Sequence, residues 1–184
     1  MRAFVAVEVT GEVAAALGRV QARLRSGRPV AEENLHLTLA FLDDQPEERL
    51  EDLHGLLEQI ARPAFTVTLN GLGCFGGDAP RLLYAAAEPS APLLDLQRAV
   101  SRAARRSGMV LQGGEYRPHI TLARFRGPEG QGVLPDLLEQ GLGVGLPSLA
   151  VRSFALFRSD LHPAGVRYEV LARYPLDCLG GGLG

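Results

Sequence analysis

The chain contains no lysine, no tryptophan and only two cysteines among its 184 residues. Cys74 and Cys178 lack the spacing of a metal-binding pair, and two cysteines do not make a disulfide framework. The sequence also lacks a hydrophobic run of about 18 residues, which a membrane-spanning helix requires. The opening segment, MRAFVAVEV, is interrupted by Glu8 and is too short for a signal peptide. We therefore expect a cytoplasmic protein without a membrane segment.

A strong positive charge is absent as well, because the formal net charge is −2. Any nucleic acid must therefore bind a local basic patch and not a general positive field. All 19 basic residues are arginines, whose planar guanidinium binds phosphate through paired hydrogen bonds. The outer face of the third predicted helix carries Arg98, Arg102, Arg105 and Arg106. We interpret this face as a solvated surface, with an RNA-binding track as the alternative.

The composition is that of one globular domain, with 46% hydrophobic and 22% charged residues. Alternating and β-branched segments predict strands over residues 2–9, 35–42, 65–70, 81–87, 109–112, 119–125, 148–158 and 166–174. Helical spacing of apolar residues predicts helices over 11–26, 46–61, 92–107 and 133–140. A hairpin loop is expected from Ser159 to Gly165, and the glycine-rich residues 179–184 are expected to form a flexible tail.

The order of these elements is typical of an α+β protein with a weak internal duplication. The duplication is clearest in two segments, NLHLTLAFL and RPHITLARF. We predict that residues 1–184 form a single domain. No dinucleotide-binding motif is present, and the glycine-rich stretch 71–77 lacks the Lys and Ser/Thr of a phosphate-binding loop.

Two of the four histidines stand in matching surroundings. His36 and His119 are each followed by Thr at the second position, Leu at the third and Ala at the fourth. Since residues two apart on a strand share a face, His36 lies beside Thr38 and His119 beside Thr121. The intervening leucine and isoleucine side chains point into the core. If the halves are related by a pseudo-twofold axis, both His–Thr faces can meet in one groove.

Two imidazoles in one groove favour acid–base chemistry. Histidine titrates near pH 6.5, so a neutral ring can accept a proton from water while a protonated ring donates one to a leaving oxygen. Opening a phosphodiester requires both transfers and donors for the phosphoryl oxygens, for which Thr38 and Thr121 are suitable. No metal or other cofactor is required. The remaining histidines, His54 and His162, have no such companions, and we interpret them as surface residues.

These motifs resemble those of the two-histidine (2H) phosphoesterase superfamily, and specifically the RNA 2′,3′-cyclic phosphodiesterases, also called 2′-5′ RNA ligases. The residues that carry the resemblance are MRAFVAVEV, NLHLTLAFL, RPHITLAR and a late strand with Tyr168. The resemblance implies a bilobal α+β fold with pseudo-twofold symmetry. In that fold two antiparallel sheets flank a central cleft, and helices lie outside.

The resemblance also implies roles for individual residues. His36 would protonate the leaving ribose oxygen, His119 would activate water, and Thr38 and Thr121 would hold the phosphate. Arg124 would add positive charge, although strict alternation places it on the face opposite His119 unless the strand ends, twists or bulges. The other candidates for substrate contact are Arg126, which competes with Arg124, Phe41, which could stack on a base, and Tyr116.

The function expected from this resemblance is hydrolysis of RNA 2′,3′-cyclic phosphate ends to 2′-phosphates, with weak reverse 2′-5′ ligation. The partner would be an RNA or oligonucleotide, tRNA fragments included, and a monomer is expected. Two other classes remain as alternatives. One is an RNA-end binding module without turnover. The other is a metal hydrolase, which the absence of a carboxylate or an HxH pair in either motif strand disfavours.

Overall fold

The structure is a computed structural model that describes residues 1–163 and 165–177. Within these residues the α-helices are α1 (Gly11–Gln21), α2 (Glu47–Leu57), α3 (Ala91–Arg106) and α4 (Val133–Glu139). The strands are β1 (Arg2–Glu8), β2 (Arg28–Pro29), β3 (His36–Asp44), β4 (Phe65–Val67), β5 (Leu69–Phe75), β6 (Leu82–Ala87), β7 (His119–Arg124), β8 (Leu149–Val151), β9 (Ser153–His162) and β10 (Gly165–Pro175). The predicted tail, 179–184, lies outside the described residues.

The strands form a large antiparallel sheet in the order β10-β9-β1-β3-β7-β6-β5, with β2 paired to β7. A small second sheet contains β4 and β8. The α+β prediction is confirmed, with one correction. The two sheets expected on either side of the cleft are joined, because β3 and β7 pair at Leu37 and Ile120. Beyond this pair the edge of β7 is taken by β2, so β3 and β7 diverge and open a cleft between the halves.

The two faces of the sheet differ in what covers them. One face carries Leu37, Leu39, Ile120 and Leu122, all buried in the main core. Helix α3 packs against β3 on this face, and α1 packs against β7. Burial of each such leucine or isoleucine stabilises the fold by roughly 1.5–3 kcal/mol. The other face presents the motif histidines and threonines to a cavity.

The longest helix, α3, follows directly from its sequence. Leu93, Leu96 and Val100 recur at helical spacing and are fully buried. Past the C-terminus of the helix, Gly108 adopts a φ of 83°, and the Met109 amide donates to the Ala104 carbonyl. This capping turn explains why the strand predicted over 109–112 is wrong: its first amide completes the helix end, and the segment belongs to no strand of the described residues.

Other predicted boundaries shift where strands change partners. The segments 65–70 and 148–158 each divide in two, because β4 and β8 pair with each other while β5 and β9 join the large sheet. Helix α1 ends at Gln21 and not at 26, since the following chain returns to pair with β7. The hairpin expected around Ser159 to Gly165 is present, but its loop is shorter than predicted. Strands β9 and β10 continue their pairing to His162 and Gly165.

Candidate active site

The four motif side chains meet in one cleft at the centre of the large sheet. Antiparallel pairing of Leu37 with Ile120 sets His36 beside Thr121 and Thr38 beside His119. The resulting cavity has a volume of about 250 Å³. Its lining includes both histidines, both threonines, Phe41, Arg124, Phe4, Tyr168, Leu161 and Val166. The predicted meeting of the two His–Thr faces is therefore present, with a pseudo-twofold relation through the Leu37–Ile120 pair.

Both imidazoles are held in the same way. The Nδ1 atom of His36 lies 2.7 Å from the Asn34 carbonyl oxygen, and that of His119 lies 2.7 Å from the Arg117 carbonyl oxygen. A carbonyl oxygen only accepts, so each Nδ1 carries the proton and donates it. This fixes the tautomer, and Nε2 of each ring becomes the atom that exchanges protons.

Aromatic side chains fix the orientation of the His36 ring. Phe4 lies 4.8 Å from it and Tyr168 lies 5.3 Å from it, edge-on at 86°. Phe4 in turn stacks on Phe157, at 4.9 Å and 4°. These rings belong to a small apolar cluster on the cleft side of the sheet. Sequence reasoning did not assign Phe4 to the site, although the alternation of β1 places it opposite the core residues Ala3 and Val5.

A second aromatic pair holds His119. Phe75 meets its ring edge-on at 5.0 Å, and Tyr84 lies 5.4 Å away and stacks on Phe75. This arrangement depends on Gly73, where an added Cβ would lie 2.5 Å from the Tyr84 hydroxyl oxygen. Sequence reasoning also missed Phe75 and Tyr84. The glycine-rich stretch 71–77 was their only signal, and within it Gly73 makes room for the Tyr84 ring.

A matching β-bulge shapes both motif strands. In β3 the register shifts so that Leu39 and Ala40 are both buried, and in β7 the same shift buries Leu122 and Ala123. Each bulge turns the residue five positions after the histidine back toward the cleft. This residue is Phe41 in β3 and Arg124 in β7, and both line the cavity. Strict alternation would place Arg124 on the face opposite His119, and the bulge explains why it lies on the same face. The Leu-Ala pair shared by the motifs forms the bulge itself.

Glutamine side chains from the helices contact the two bulges. The Gln21 amide of α1 donates to the Leu122 carbonyl at 2.9 Å and to the Val30 carbonyl at 2.7 Å. The Gln97 amide of α3 approaches the Leu39 carbonyl at 3.5 Å. Leu122 and Leu39 hold the same place in the two motifs. The bulge beneath Arg124 is therefore held more firmly than the bulge beneath Phe41.

Burial and positive charge both act on the imidazoles. Burial, more than any other cause, lowers the pKa of His36, and the positive charges of Arg124 and His119 lower it further. Burial likewise lowers the pKa of His119, and Arg124 adds to this effect. The hydrogen bonds to the Asn34 and Arg117 carbonyls act in the opposite direction. Both rings therefore favour the neutral form more than a histidine in water does.

Two further predicted site residues, Tyr116 and Arg126, do not line the cavity. The Tyr116 hydroxyl donates to the Thr38 carbonyl at 2.8 Å, and burial raises the pKa of this tyrosine. Its hydroxyl therefore braces the motif strand. Arg126 is exposed beyond the end of β7 and does not line the cavity. His54 lies on α2, where its Nδ1 contacts the Tyr174 hydroxyl at 2.9 Å.

Two findings concern the metal-hydrolase alternative and the question of a membrane segment. Among the described residues, no group of three or more His, Cys, Asp or Glu side chains is arranged to hold a metal ion. In the same residues, no helix is both long enough and apolar enough to cross a membrane.

Paired imidazoles, two hydroxyls and a guanidinium around one cleft of a duplicated antiparallel fold are the features of a two-histidine phosphoesterase. The chain belongs to the 2′-5′ RNA ligase superfamily, whose family model matches residues 6–162. The resemblance to this family is thus confirmed.

Individual relatives match over most of the chain. A protein of Thermus thermophilus named RNA 2′,3′-cyclic phosphodiesterase is 37% identical over 187 aligned residues, covering 96% of this chain and 90% of that protein. The Escherichia coli protein of the same name is 34% identical over 152 residues, covering 82% and 81%. The crystal structure of E. coli LigT complexed with 3′-AMP is similar at a TM-score of 0.75 and 30% identity, covering 95% of this chain and 96% of that one.

Proposed function

We propose that this protein hydrolyses the 2′,3′-cyclic phosphate ends of RNA to 2′-phosphates by two-histidine acid–base catalysis. The observation that carries the proposal is the pair of imidazoles with matched tautomers in one cavity. His36 and His119 both donate Nδ1–H to a carbonyl, beside Arg124 and two threonine hydroxyls. Relatives named RNA 2′,3′-cyclic phosphodiesterase give independent support.

In the proposed reaction, Nε2 of His119 accepts a proton from water as the water oxygen attacks phosphorus. The bond from phosphorus to the ribose O3′ breaks, and Nε2 of the protonated His36 donates a proton to O3′. The product is a 2′-phosphate with a free 3′-hydroxyl. His119 is suited to the base role, because it also lines two wider grooves outside the cavity and is open to water. His36 is the more enclosed ring, between Phe4 and Tyr168.

Three side chains are placed to bind the phosphate. Thr38 and Thr121 offer hydroxyl donors, and Arg124 offers a guanidinium that favours the charge developing on the phosphoryl oxygens. The bound anion also favours protonation of the acid, offsetting the lowered pKa of His36. Phe41 is 60% exposed on the cavity rim, beside Leu161 and Val166, where a base can stack on it.

The same groups can run the reaction backwards, because proton transfers are reversible. When the 5′-hydroxyl of a second RNA occupies the water position, His119 accepts its proton, the 5′-oxygen attacks phosphorus, and the bond to O3′ breaks with a proton from His36, so that the two chains are joined through a 2′-5′ bond as a weak companion activity. We propose RNA fragments with cyclic phosphate ends, tRNA fragments among them, as substrates. We also propose that the enzyme acts as a monomer in the cytoplasm.

The direct test is product analysis on a short RNA that ends in a 2′,3′-cyclic phosphate, with excess EDTA. We expect conversion to a 2′-phosphate that continues in the chelator, since the imidazoles supply both proton transfers. A His36→Ala preparation, purified in parallel, controls for contaminating phosphodiesterases. Loss of activity in EDTA with recovery on added zinc or manganese would contradict the metal-free mechanism. A 3′-phosphate product would contradict the assignment of the bond that breaks.

A further inference from the structure

A wide groove extends from His119 to the outer face of α3. It encloses about 950 Å³ between α3, the segment before β7 and the aromatic pair at His119. A second hollow of about 390 Å³ connects it with the cavity, since Thr38, Phe41 and His119 line both. Space for a ligand therefore continues from the reacting centre without interruption.

The charge on this groove comes from one face of a helix. Arg98, Arg102 and Arg105 are spaced four and three residues apart on α3, so they line one side of the groove. They extend over about 10 Å of helix, roughly the length of three stacked nucleotides. Within the part of the chain that the structure describes, no ion pair joins these three arginines to an acid. Arg117 also lines the groove, at 4.0 Å from Glu115.

The opposite side of the site has the opposite charge. A hollow of about 350 Å³ beside His36 is lined by Glu8, Glu32 and Glu33. Glu8 is neutralised by Arg173 through two hydrogen bonds of 2.8 and 2.9 Å, and the other two acids are exposed. A polyanion that leaves the cavity on this side is repelled, whereas one that leaves past His119 meets three free guanidinium groups.

We propose that the groove along α3, which we call the arginine groove, binds the single-stranded RNA that precedes the terminal cyclic phosphate. The inference rests on the proposed function only in taking the end of the bound RNA to be a 2′,3′-cyclic phosphate. Arg98, Arg102 and Arg105 contact successive phosphates, and the half-buried rings of Phe75 and Tyr84 form its aromatic wall. A basic track beside aromatic rings is the usual means of binding single strands without sequence preference. Of the four arginines on the outer face of α3, the three that line the groove thus belong to an RNA track, whereas Arg106 does not line it and remains a solvated residue.

The test compares substrates of two lengths in two variants of equal charge. The groove variant is Arg98→Ala/Arg102→Ala/Arg105→Ala. The control variant is Arg19→Ala/Arg23→Ala/Arg106→Ala, in which three exposed arginines outside the groove are removed. The substrates are a nucleoside 2′,3′-cyclic phosphate and an RNA of about eight nucleotides with the same end. The affinity for the labelled RNA is measured separately by fluorescence anisotropy, and circular dichroism checks that the variants fold.

We expect the groove variant to lose the preference of the enzyme for the longer RNA over the mononucleotide. In the groove variant, the ratio of kcat/KM for the longer RNA to that for the mononucleotide falls about tenfold or more, and RNA affinity weakens equally. The slope of log Kd against log salt becomes shallower by about two, since each phosphate contact contributes about 0.7. The control variant keeps the wild-type ratio. Equal changes in both variants, or an unchanged ratio in the groove variant, would overturn the inference. Failure of the mononucleotide reaction in wild type would count against the proposed function, while anisotropy would still decide on the groove.

Discussion

The two halves of the cleft share a motif but differ in their surroundings. His36 is enclosed by Phe4 and Tyr168 and lies next to a hollow lined by glutamates. His119 is held by Phe75 and Tyr84 and opens onto the arginine groove. The difference suits two distinct tasks. In the proposed mechanism, the more enclosed ring suits delivery of a proton to the leaving oxygen, while the more open ring has access to water and lies where the proposed RNA track meets the cavity.

The residue after each bulge is a second difference between the halves. Equivalent positions hold Phe41 in β3 and Arg124 in β7, so one half offers an aromatic ring and the other a positive charge. The glutamine contacts also differ between the halves. Gln21 lies 2.9 Å from the carbonyl at the bulge before Arg124, whereas Gln97 lies 3.5 Å from the carbonyl at the bulge before Phe41. A duplicated backbone thus places a guanidinium in only one half of the site, where we propose that it binds the charge of the phosphate.

The largest expected effect comes from removing either imidazole. His36→Ala and His119→Ala should each lower kcat by about 10²–10⁴-fold, since each removes one proton transfer. The double variant should lose little more than the worse single variant, because two groups that act in one step are not additive. Steady-state kinetics on a cyclic-phosphate RNA measures this, with His54→Ala as a control outside the cleft. Multiplicative losses in the double variant would show that the histidines act independently.

Removing the residue after each bulge should separate charge from stacking. Arg124→Ala should lower kcat/KM by about 10- to 150-fold, equivalent to roughly 1.5–3 kcal/mol for a charge-assisted contact. Phe41→Ala should have a smaller effect, about fivefold, corresponding to roughly 1 kcal/mol of base stacking. Arg126→Ala serves as the control for Arg124, because it removes an exposed charge that does not line the cavity. If Arg126→Ala were the more damaging change, the phosphate would lie beyond the end of β7.

The glutamine contacts predict a smaller and unequal pair of effects. Gln21→Ala removes one hydrogen bond to the bulge of β7 and one to the neighbouring Val30 carbonyl, each worth about 0.5–1.5 kcal/mol of unfolding free energy. It should also raise KM severalfold by displacing Arg124. Gln97→Ala should change KM less, since its contact with Leu39 is 3.5 Å long. Urea unfolding and kinetics on the same preparations give both quantities. Equal KM values for the two variants would mean that the bulge of β7 does not depend on Gln21.

The pH dependence should show the influence of Arg124 on both halves. Its charge lowers the pKa of both histidines, so Arg124→Ala should raise both values in an NMR titration of the ring protons. A histidine with a folded-state pKa below its unfolded-state value binds protons more readily when unfolded. These two residues therefore reduce the stability of the fold as the pH drops below about 6.5. In Arg124→Ala the stability lost at low pH should therefore be smaller. Unchanged titration curves would contradict the proximity of Arg124 to His36 and His119.

Local sequence patterns predicted much of the fold, and the features that they missed have identifiable physical causes. The alternation around His36 and His119 correctly divided core residues from cleft residues. The bulge after each threonine was not predictable from alternation, because it depends on register with β1 and β6. Phe4 and Tyr84 were missed for a related reason. Their contacts with the histidines arise between neighbouring strands, and the spacing of residues along one strand carries no information about such contacts.

The division of labour between the histidines is the central claim, and leaving-group chemistry tests it most directly. A nitrophenyl phosphodiester releases a stable anion that needs no protonation, so a general acid contributes little to its cleavage. His36→Ala should therefore recover most of its lost activity on this substrate, whereas His119→Ala should not. Rescue of His119→Ala instead would reverse the two roles. Near-wild-type turnover of cyclic-phosphate RNA by either single variant would remove that histidine from the chemistry and contradict the two-histidine mechanism.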